Sequence, residues 1–384
     1  MKRLLWIILI ALIALGGAAL AKREELGRLM AVQSLFSAEK IVGNFSAMGD
    51  AFLTTPIARG DASNVPFQTD LRPLPDAVAD YVTDRNVTSL LVLKNGVIVA
   101  EDYYQGTQAD DLRISWSVAK SFLSTLMGVL VDEGAIASIT DPVISYAPSL
   151  ASSAYADATI KDVLQMSSGV VFDEDYLTFT SDINRMGRIL ALGGSMDGFA
   201  EGLTETFTAP GTDWQYVSID THVLGMVIRG ATGRSIPDLM SEKIISKLGF
   251  DREPTYITDG YGVAFVLGGL NITTRDYARF GQMIAQNGVW QGEQIVPAGW
   301  IAESTQASAP TDADDIGYGY QWWIPVGATP GQFMGRGVYG QYLYIDQSRN
   351  VVIVVTAGDR AFREDGVGRQ NEDMFRLIAE SLDD

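Results

Sequence analysis

Ile114-Ser115-Trp116-Ser117-Val118-Ala119-Lys120-Ser121-Phe122-Leu123 is the stretch on which the fold turns. After the tetrad Ser117-Val118-Ala119-Lys120 come Leu126, Met127, Val129, Leu130 and Val131, and then Asp132-Glu133-Gly134. That is the pattern of a buried helix with a glycine stop. Residues three apart share a helix face, so the Ser117 hydroxyl and the Lys120 amine come within reach of a hydrogen bond. A lysine in the first turn of a buried helix needs a reason to be there, because an unpaired ammonium is costly to bury. A serine beside an amine is a nucleophile beside a base. With Ser117 at the helix N-terminus, free N–H groups and the positive end of the dipole favour an oxyanion on its substrate, which points to acyl transfer. Ser37-Ala38-Glu39-Lys40 spells the same tetrad without a preceding strand and is read as a chance match.

Upstream, Ser89 to Lys94 and Val97 to Glu101 are β-rich runs joined by Asn95-Gly96, a strong hairpin signal. Downstream, Ile160 to Gly169 reads as a short helix ended by serines and glycine. Phe172 to about Phe207 reads as loop-rich, with Asp173-Glu174-Asp175-Tyr176 a solvated loop at a pocket rim. Those acids lack the ligand spacing and turn glycine of a calcium loop. Tyr216-Val217-Ser218 precedes a helix from Ile219 to Arg229 closed by Gly230-Ala231-Thr232-Gly233. Beside a Ser-Lys pair, a phenol there can lose its proton more readily and serve as general base. His222 lies inside that helix among apolar residues and is read as a structural histidine, not the base of a triad.

Further on, helices are expected at Thr273 to Ala285 and Pro297 to Ser304, and strands at Tyr318 to Ile324, Gln341 to Asp346 and Val351 to Thr356. A last helix runs from about Asn371 to Leu382. Gly335-Arg336-Gly337-Val338-Tyr339-Gly340 spells Gly-x-Gly-x-x-Gly but leads into a strand, whereas the dinucleotide fingerprint follows a strand and opens a helix.

The 384 residues suit one large domain with a tail, and a formal charge of −19 argues against nucleic acid as a partner. With no cysteine there are no disulfides, thiol nucleophiles or thiolate metal sites, and a single histidine excludes a multi-histidine zinc site. Neither a metal nor a cofactor is called for. At the amino terminus Lys2-Arg3 precedes an apolar run from Leu4 to Ala21, and Ala19-Leu20-Ala21 resembles a cleavage site. Residues 1–21 are read as a signal peptide or membrane anchor, so the chain is expected to be exported, periplasmic or tethered to the membrane with its bulk outside the cytoplasm. Residues 22–69 are read as an extension packed over the main domain, residues 70–384. Oligomeric state leaves no signal in these residues.

A Ser-x-x-Lys, a Tyr-x-Ser about 100 residues on and a glycine-containing strand motif near the C-terminus resemble the serine β-lactamase and penicillin-binding-protein superfamily, on its class C and esterase branch. Asn44-Phe45, the 172–176 segment and Gly337-Val338-Tyr339-Gly340-Gln341 are most similar to the 6-aminohexanoate-dimer hydrolase group. The resemblance covers about residues 70 to 384 and implies an α+β fold: an antiparallel β-sheet flanked by helices, with a mostly helical second lobe and the nucleophile between them. It also implies Ser117 as acylated nucleophile, Lys120 as its proton acceptor and Tyr216 as general base and acid, their protons shared. The backbone N–H groups of Ser117 and Val338 would form the oxyanion hole, with Tyr176, Ser218 and Gly337 at the substrate. Where many relatives have Lys-Thr-Gly this chain has Gly335-Arg336-Gly337, and strand alternation turns Arg336 away from the cleft. The expected function is a serine hydrolase cleaving a small ester or linear amide, with little action on β-lactams. A D-alanyl peptidase or β-lactamase is the first alternative. A non-catalytic sensor or binding module is the second, disfavoured by the intact Ser117, Lys120 and Tyr216.

Overall fold

The computed structural model describes residues 5–6, 22–61, 64–312 and 315–383. In chain order the first strands are β1 (Leu53–Pro56), β2 (Val87–Lys94), β3 (Val97–Tyr103), β4 (Arg113–Ile114), β5 (Thr255–Thr258) and β6 (Leu270–Ile272). A small ribbon follows, β7 (Val289–Trp290) with β8 (Glu293–Gln294). The last strands are β9 (Gly317–Tyr318), β10 (Trp323–Ile324), β11 (Gln332–Gly337), β12 (Gln341–Asp346) and β13 (Val351–Ala357). Seven of them form an antiparallel sheet in the order β3-β2-β13-β12-β11-β10-β9. The hairpin at Asn95-Gly96 forms as read, both residues taking the positive φ its tight turn needs.

Helices cover this sheet on both faces, which is why β2 and β13 are nearly unbroken apolar runs. Leu91, Leu93, Leu343, Val352 and Val354 share one core with the helices Val118–Asp132 and Thr274–Ala285. Leu90, Val92, Tyr344, Ile353 and Val355 alternate onto the other face, against the helices Ala77–Asp84 and Val367–Ser381. A second sheet, in the order β1-β5-β6-β4, leads the chain toward Ser117. Between β4 and β5 the chain is mostly helical. The fold is therefore α+β: antiparallel sheets, covering helices and a helical lobe.

Several local readings change. The 172–207 region contains two helices, Asp182–Ala191 and Met196–Glu201, each started by a serine whose side chain accepts from the backbone, Ser181 from Asn184 and Ser195 from Gly198. Gly187, Gly193 and Gly194 obscured the pattern. Tyr318 to Ile324 is two short strands about a turn, because Gln321 is left-handed and a Cβ at Gly319 would lie 2.1 Å from the Ser304 carbonyl. The helix after Tyr216 spans Ser218–Thr232 and ends at Gly233, which takes the left-handed cap; Gly230 stays inside it. Gly230 is there for close approach, since a Cβ would lie 1.8 Å from the Tyr146 oxygen. Gly230→Ala is accordingly expected to lower stability by about 1–3 kcal/mol in denaturant titration, the usual cost of overpacking, whereas helix propensity alone would raise it.

The segment before residue 70 is wired into the molecule. Its helix Arg23–Gln33 packs on Asp182–Ala191, with Arg28 Nε donating to the Ala191 oxygen at 3.0 Å. β1 pairs with β5, and Phe36 stacks on Tyr339 with centroids 4.6 Å apart. Among the described residues no helix is long and apolar enough to cross a membrane. The Leu4 to Ala21 run falls outside the described residues apart from Leu5 and Trp6.

Candidate active site

Ser117 is the residue before the first turn of the helix Val118–Asp132. The short strand β4, held by β6 and by the Phe45 carbonyl accepting from Ile114 N–H at 3.0 Å, delivers the chain there. Trp116 then takes φ 42°, a left-handed conformation rare for a bulky side chain and typical of strain held at functional positions. Phe36 and Phe45 hold its ring, with centroids 5.7 and 5.6 Å away. The result is a serine presented at the mouth of a buried helix.

Lys120 is 2% exposed, its Nζ 3.5 Å from the Ser218 carbonyl and 5.4 Å from the centre of the Tyr216 ring. Burial pulls the Lys120 amine down to about 7, opposed by the negative charges of Glu174 and Asp220. Tyr216 stacks on Trp323 at 5.0 Å and meets Ser117 in a hydrogen-bond contact. Burial, then the Glu174 charge, pushes the phenol well above its usual value, while Ser117, Arg336 and Ser218 oppose the rise. This reverses the expectation of a readily ionised phenol. Here the proton stays on Tyr216 and the amine is the group able to be neutral.

Glu174 is the residue sequence reading missed. The 173–176 segment does sit at a pocket rim, but Glu174 turns inward where a solvated loop was expected. Its carboxylate accepts from Ser218 N–H at 3.1 Å, from the Ser218 hydroxyl, and from the Tyr176 hydroxyl at 2.8 Å. Burial raises its pKa, and Lys120 and these donors counter the rise. The loop's other acids are spent locally: Asp175 accepts from Leu177 N–H at 2.9 Å and from the Thr178 hydroxyl at 2.7 Å. A second buried acid, Asp220, accepts from Tyr155 at 2.7 Å and Ser168 at 2.9 Å, and burial pushes it up to about 7.

β11 closes the site from the sheet side. Gly335 faces the Ser117 helix, since a Cβ there would lie 3.2 Å from Ser121 Oγ; at Gly337 it would lie 2.7 Å from the Ser115 oxygen and 3.1 Å from Ser117 N. Only glycine allows that approach. It brings the N–H groups of Ser117 and Val338 to the same end of the site, and neither has an acceptor among the described residues. Buried Gln341 fixes the turn by donating to the oxygens of Val338 at 3.3 Å, Tyr339 at 3.0 Å and Ala357 at 2.8 Å. Arg336 does project from the opposite side of the strand from Gly335, toward Tyr342 and across the Trp323 ring at 5.5 Å. It nevertheless lines the cleft, contrary to expectation, so a carboxylate there would find a cation.

Two cavities meet at Ser117. One, of about 520 Å³, is the more polar of the two and includes Glu174, Tyr216, Arg336 and Glu364. The other, of about 470 Å³, is mainly apolar and runs under the N-terminal helix. Ser117, Tyr176 and Val338 line both, Ser218 the apolar one and Gly337 the polar one. His222 lines neither. Its Nε2 is 2.7 Å from Asp197, whose carboxylate also takes Arg229 at 2.6 Å; burial raises this acid, but the two partners hold it low. Ser37 and Lys40 lie in turns away from both cavities.

An antiparallel sheet with covering helices and a helical lobe, with a serine, a lysine and a tyrosine gathered between them, defines a β-lactamase-type hydrolase. The chain belongs to the β-lactamase family, whose sequence model matches residues 74–371. It is similar to the 6-aminohexanoate-dimer hydrolase of Paenarthrobacter ureafaciens, with 33% identity over 314 residues, covering 78% of this chain and 77% of that protein. The structure of a Bacillus anthracis protein provisionally described as a 6-aminohexanoate-dimer hydrolase matches with a TM-score of 0.81 at 24% identity, over 91% of this chain and 96% of that one. A family VIII carboxylesterase matches with a TM-score of 0.61 at 18% identity, over 82% of this chain and 100% of that one.

Proposed function

We propose that the chain cleaves a small ester or linear amide through an acyl-enzyme on Ser117. The observation that carries this reading is a buried lysine with its pKa lowered to about 7, one helix turn from a serine that a protonated tyrosine also touches. Neutral Lys120 takes the Ser117 proton as Oγ attacks the carbonyl carbon, and the N–H groups of Ser117 and Val338 receive the oxyanion. The bond to the leaving nitrogen or oxygen then breaks, and Tyr216 supplies the proton that atom needs, to be recharged from Lys120. Water attacks the acyl carbon in the second half, giving a proton to the amine, which passes one back to Ser117 Oγ as the carbon–Oγ bond breaks, so the serine is released with a carboxylic acid. Similarity to a hydrolase of a linear amide supports the substrate class. Export is part of the proposal, resting on Lys2-Arg3 and the apolar run after it.

The test is the pH dependence of kcat/KM for a nitrophenyl ester, run beside mass analysis of the acylated peptide. Since Lys120 works only without its proton, activity is expected to rise through about pH 7 and level off above it. Glu174 favours the ammonium, so Glu174→Gln should move that rise to lower pH while Gln still accepts from Ser218. A rise that stays in place, or moves to higher pH, would remove Glu174 from the electrostatics of the site. Acylation at a residue other than Ser117 would end the proposal.

A further inference from the structure

We propose that the apolar cavity beside Ser117 is an acyl chamber for an uncharged aliphatic chain, and that the polar cavity receives the leaving amine or alcohol, with Arg336 placed to take a carboxylate on it. This rests on the acyl-enzyme reading above. The chamber reaches Ser117 and is walled by Leu29 and Val32 of the N-terminal helix, Ile183 and Met186 of the helix Asp182–Ala191, and Phe265. Leu177 and Phe179 also line it and are 86% and 73% exposed, large apolar side chains facing solvent. Among the described residues no acid lines it, and the one ion that does is Arg188, whose guanidinium donates to the Phe179 oxygen at 2.7 Å and covers the Phe179 ring at 4.0 Å. An ammonium at the end of an acyl chain would thus lose its water with only a like charge nearby.

The side on which each half of the substrate lies follows from Tyr216. It lines the polar cavity and not the chamber, and the group that protonates the leaving atom must face the leaving group. Acyl chain and leaving group are thereby assigned to opposite sides of Ser117.

Four measurements on the full chain test this. Across nitrophenyl esters from acetyl to octanoyl, kcat/KM should climb by about threefold to fourfold per methylene before the chamber fills. Lengthening the alcohol of alkyl acetates should bring no such climb. N-Hexanoyl-6-aminohexanoate and the 6-aminohexanoate dimer differ only in the terminal ammonium, and the hexanoyl compound should be cleaved about 10²-fold faster or more. Gly187 lies on the same helix face as Ile183 and Leu190, lines the chamber, and has nothing within 4 Å of a built Cβ. Leucine is the better helix former, so Gly187→Leu should fold, fill the chamber and cut the octanoyl-to-acetyl ratio about tenfold or more. A flat acyl series, a climb with the alcohol instead, equal rates for the two amides, or an unchanged ratio in Gly187→Leu would each overturn the assignment in an enzyme still acylated on Ser117. Loss of acylation in the unaltered enzyme would instead sink the reading on which it rests.

Discussion

Ser117→Ala is expected to abolish covalent labelling by a fluorophosphonate and to lower ester turnover by about 10⁴-fold or more, the scale on which nucleophiles count. Neighbouring serines cannot take over, because their hydroxyls are committed. Ser115 donates to the Trp116 oxygen at 3.0 Å, Ser121 to the Gln321 oxygen at 2.8 Å, and Ser218 to Glu174. Ser117 meets the phenol above Lys120, and among the described residues its hydroxyl is not given over to a backbone oxygen or a carboxylate. Its side chain makes no capping bond to its own helix, so alanine should leave the thermal transition almost unchanged. Labelling that persists on another serine of the folded variant would end the assignment.

Lys120→Ala and Tyr216→Phe should each lower kcat by about 10² to 10⁴, the range of positioned proton transfer, but they should differ in kind. Lys120→Ala removes the group whose titration shapes the pH profile, so the rise near pH 7 should disappear with the rate. Stability should not collapse, since the lost ammonium is a buried charge whose hydrogen bond to the Ser218 carbonyl is long, at 3.5 Å. Tyr216→Phe keeps the ring on Trp323 and deletes only the hydroxyl. A nitrophenolate leaves without a proton and an amine does not, so the loss should be larger for a linear amide than for a nitrophenyl ester. Equal losses on both substrates would deny Tyr216 its role at the leaving group. Near-normal turnover in Lys120→Ala would pass the base role elsewhere, with Glu174 next in line; His222 is held by Asp197 and lines neither cavity.

The Ser117–Lys120 relation was legible because both residues lie in one helix turn, where spacing is geometry. Tyr216 was legible as the residue before a helix with a motif of its own. Glu174 was not, since Asp173-Glu174-Asp175 offers three acids to a reader and only packing turns the middle one inward. Gln341 is similarly mute in sequence: two of its carbonyl partners lie in the turn just before it, but the third, Ala357, is brought alongside by the β12–β13 pairing. Two helices in the 172–207 region escaped notice because glycines break their apolar pattern, although Ser181 and Ser195 were readable caps. Arg336 shows the opposite lesson: alternation correctly turned it from Gly335, yet the polar cavity extends to that side of the strand, by Tyr342 and Gly368, and takes in Arg336 as well.

By itself, the amino-acid sequence determined the elements whose causes are local: the Asn95-Gly96 hairpin, the helix after Ser117 and the apolar strands of the main sheet, because turn chemistry and periodicity act between near neighbours. The tertiary structure decided what depends on segments distant in the chain. It set the charge states of Lys120 and Tyr216, because desolvation and the Glu174 charge come from elements brought together only by folding. It also built the apolar chamber, whose walls come from residues 29–36, 177–190 and 257–268, a surface that none of those segments carries alone.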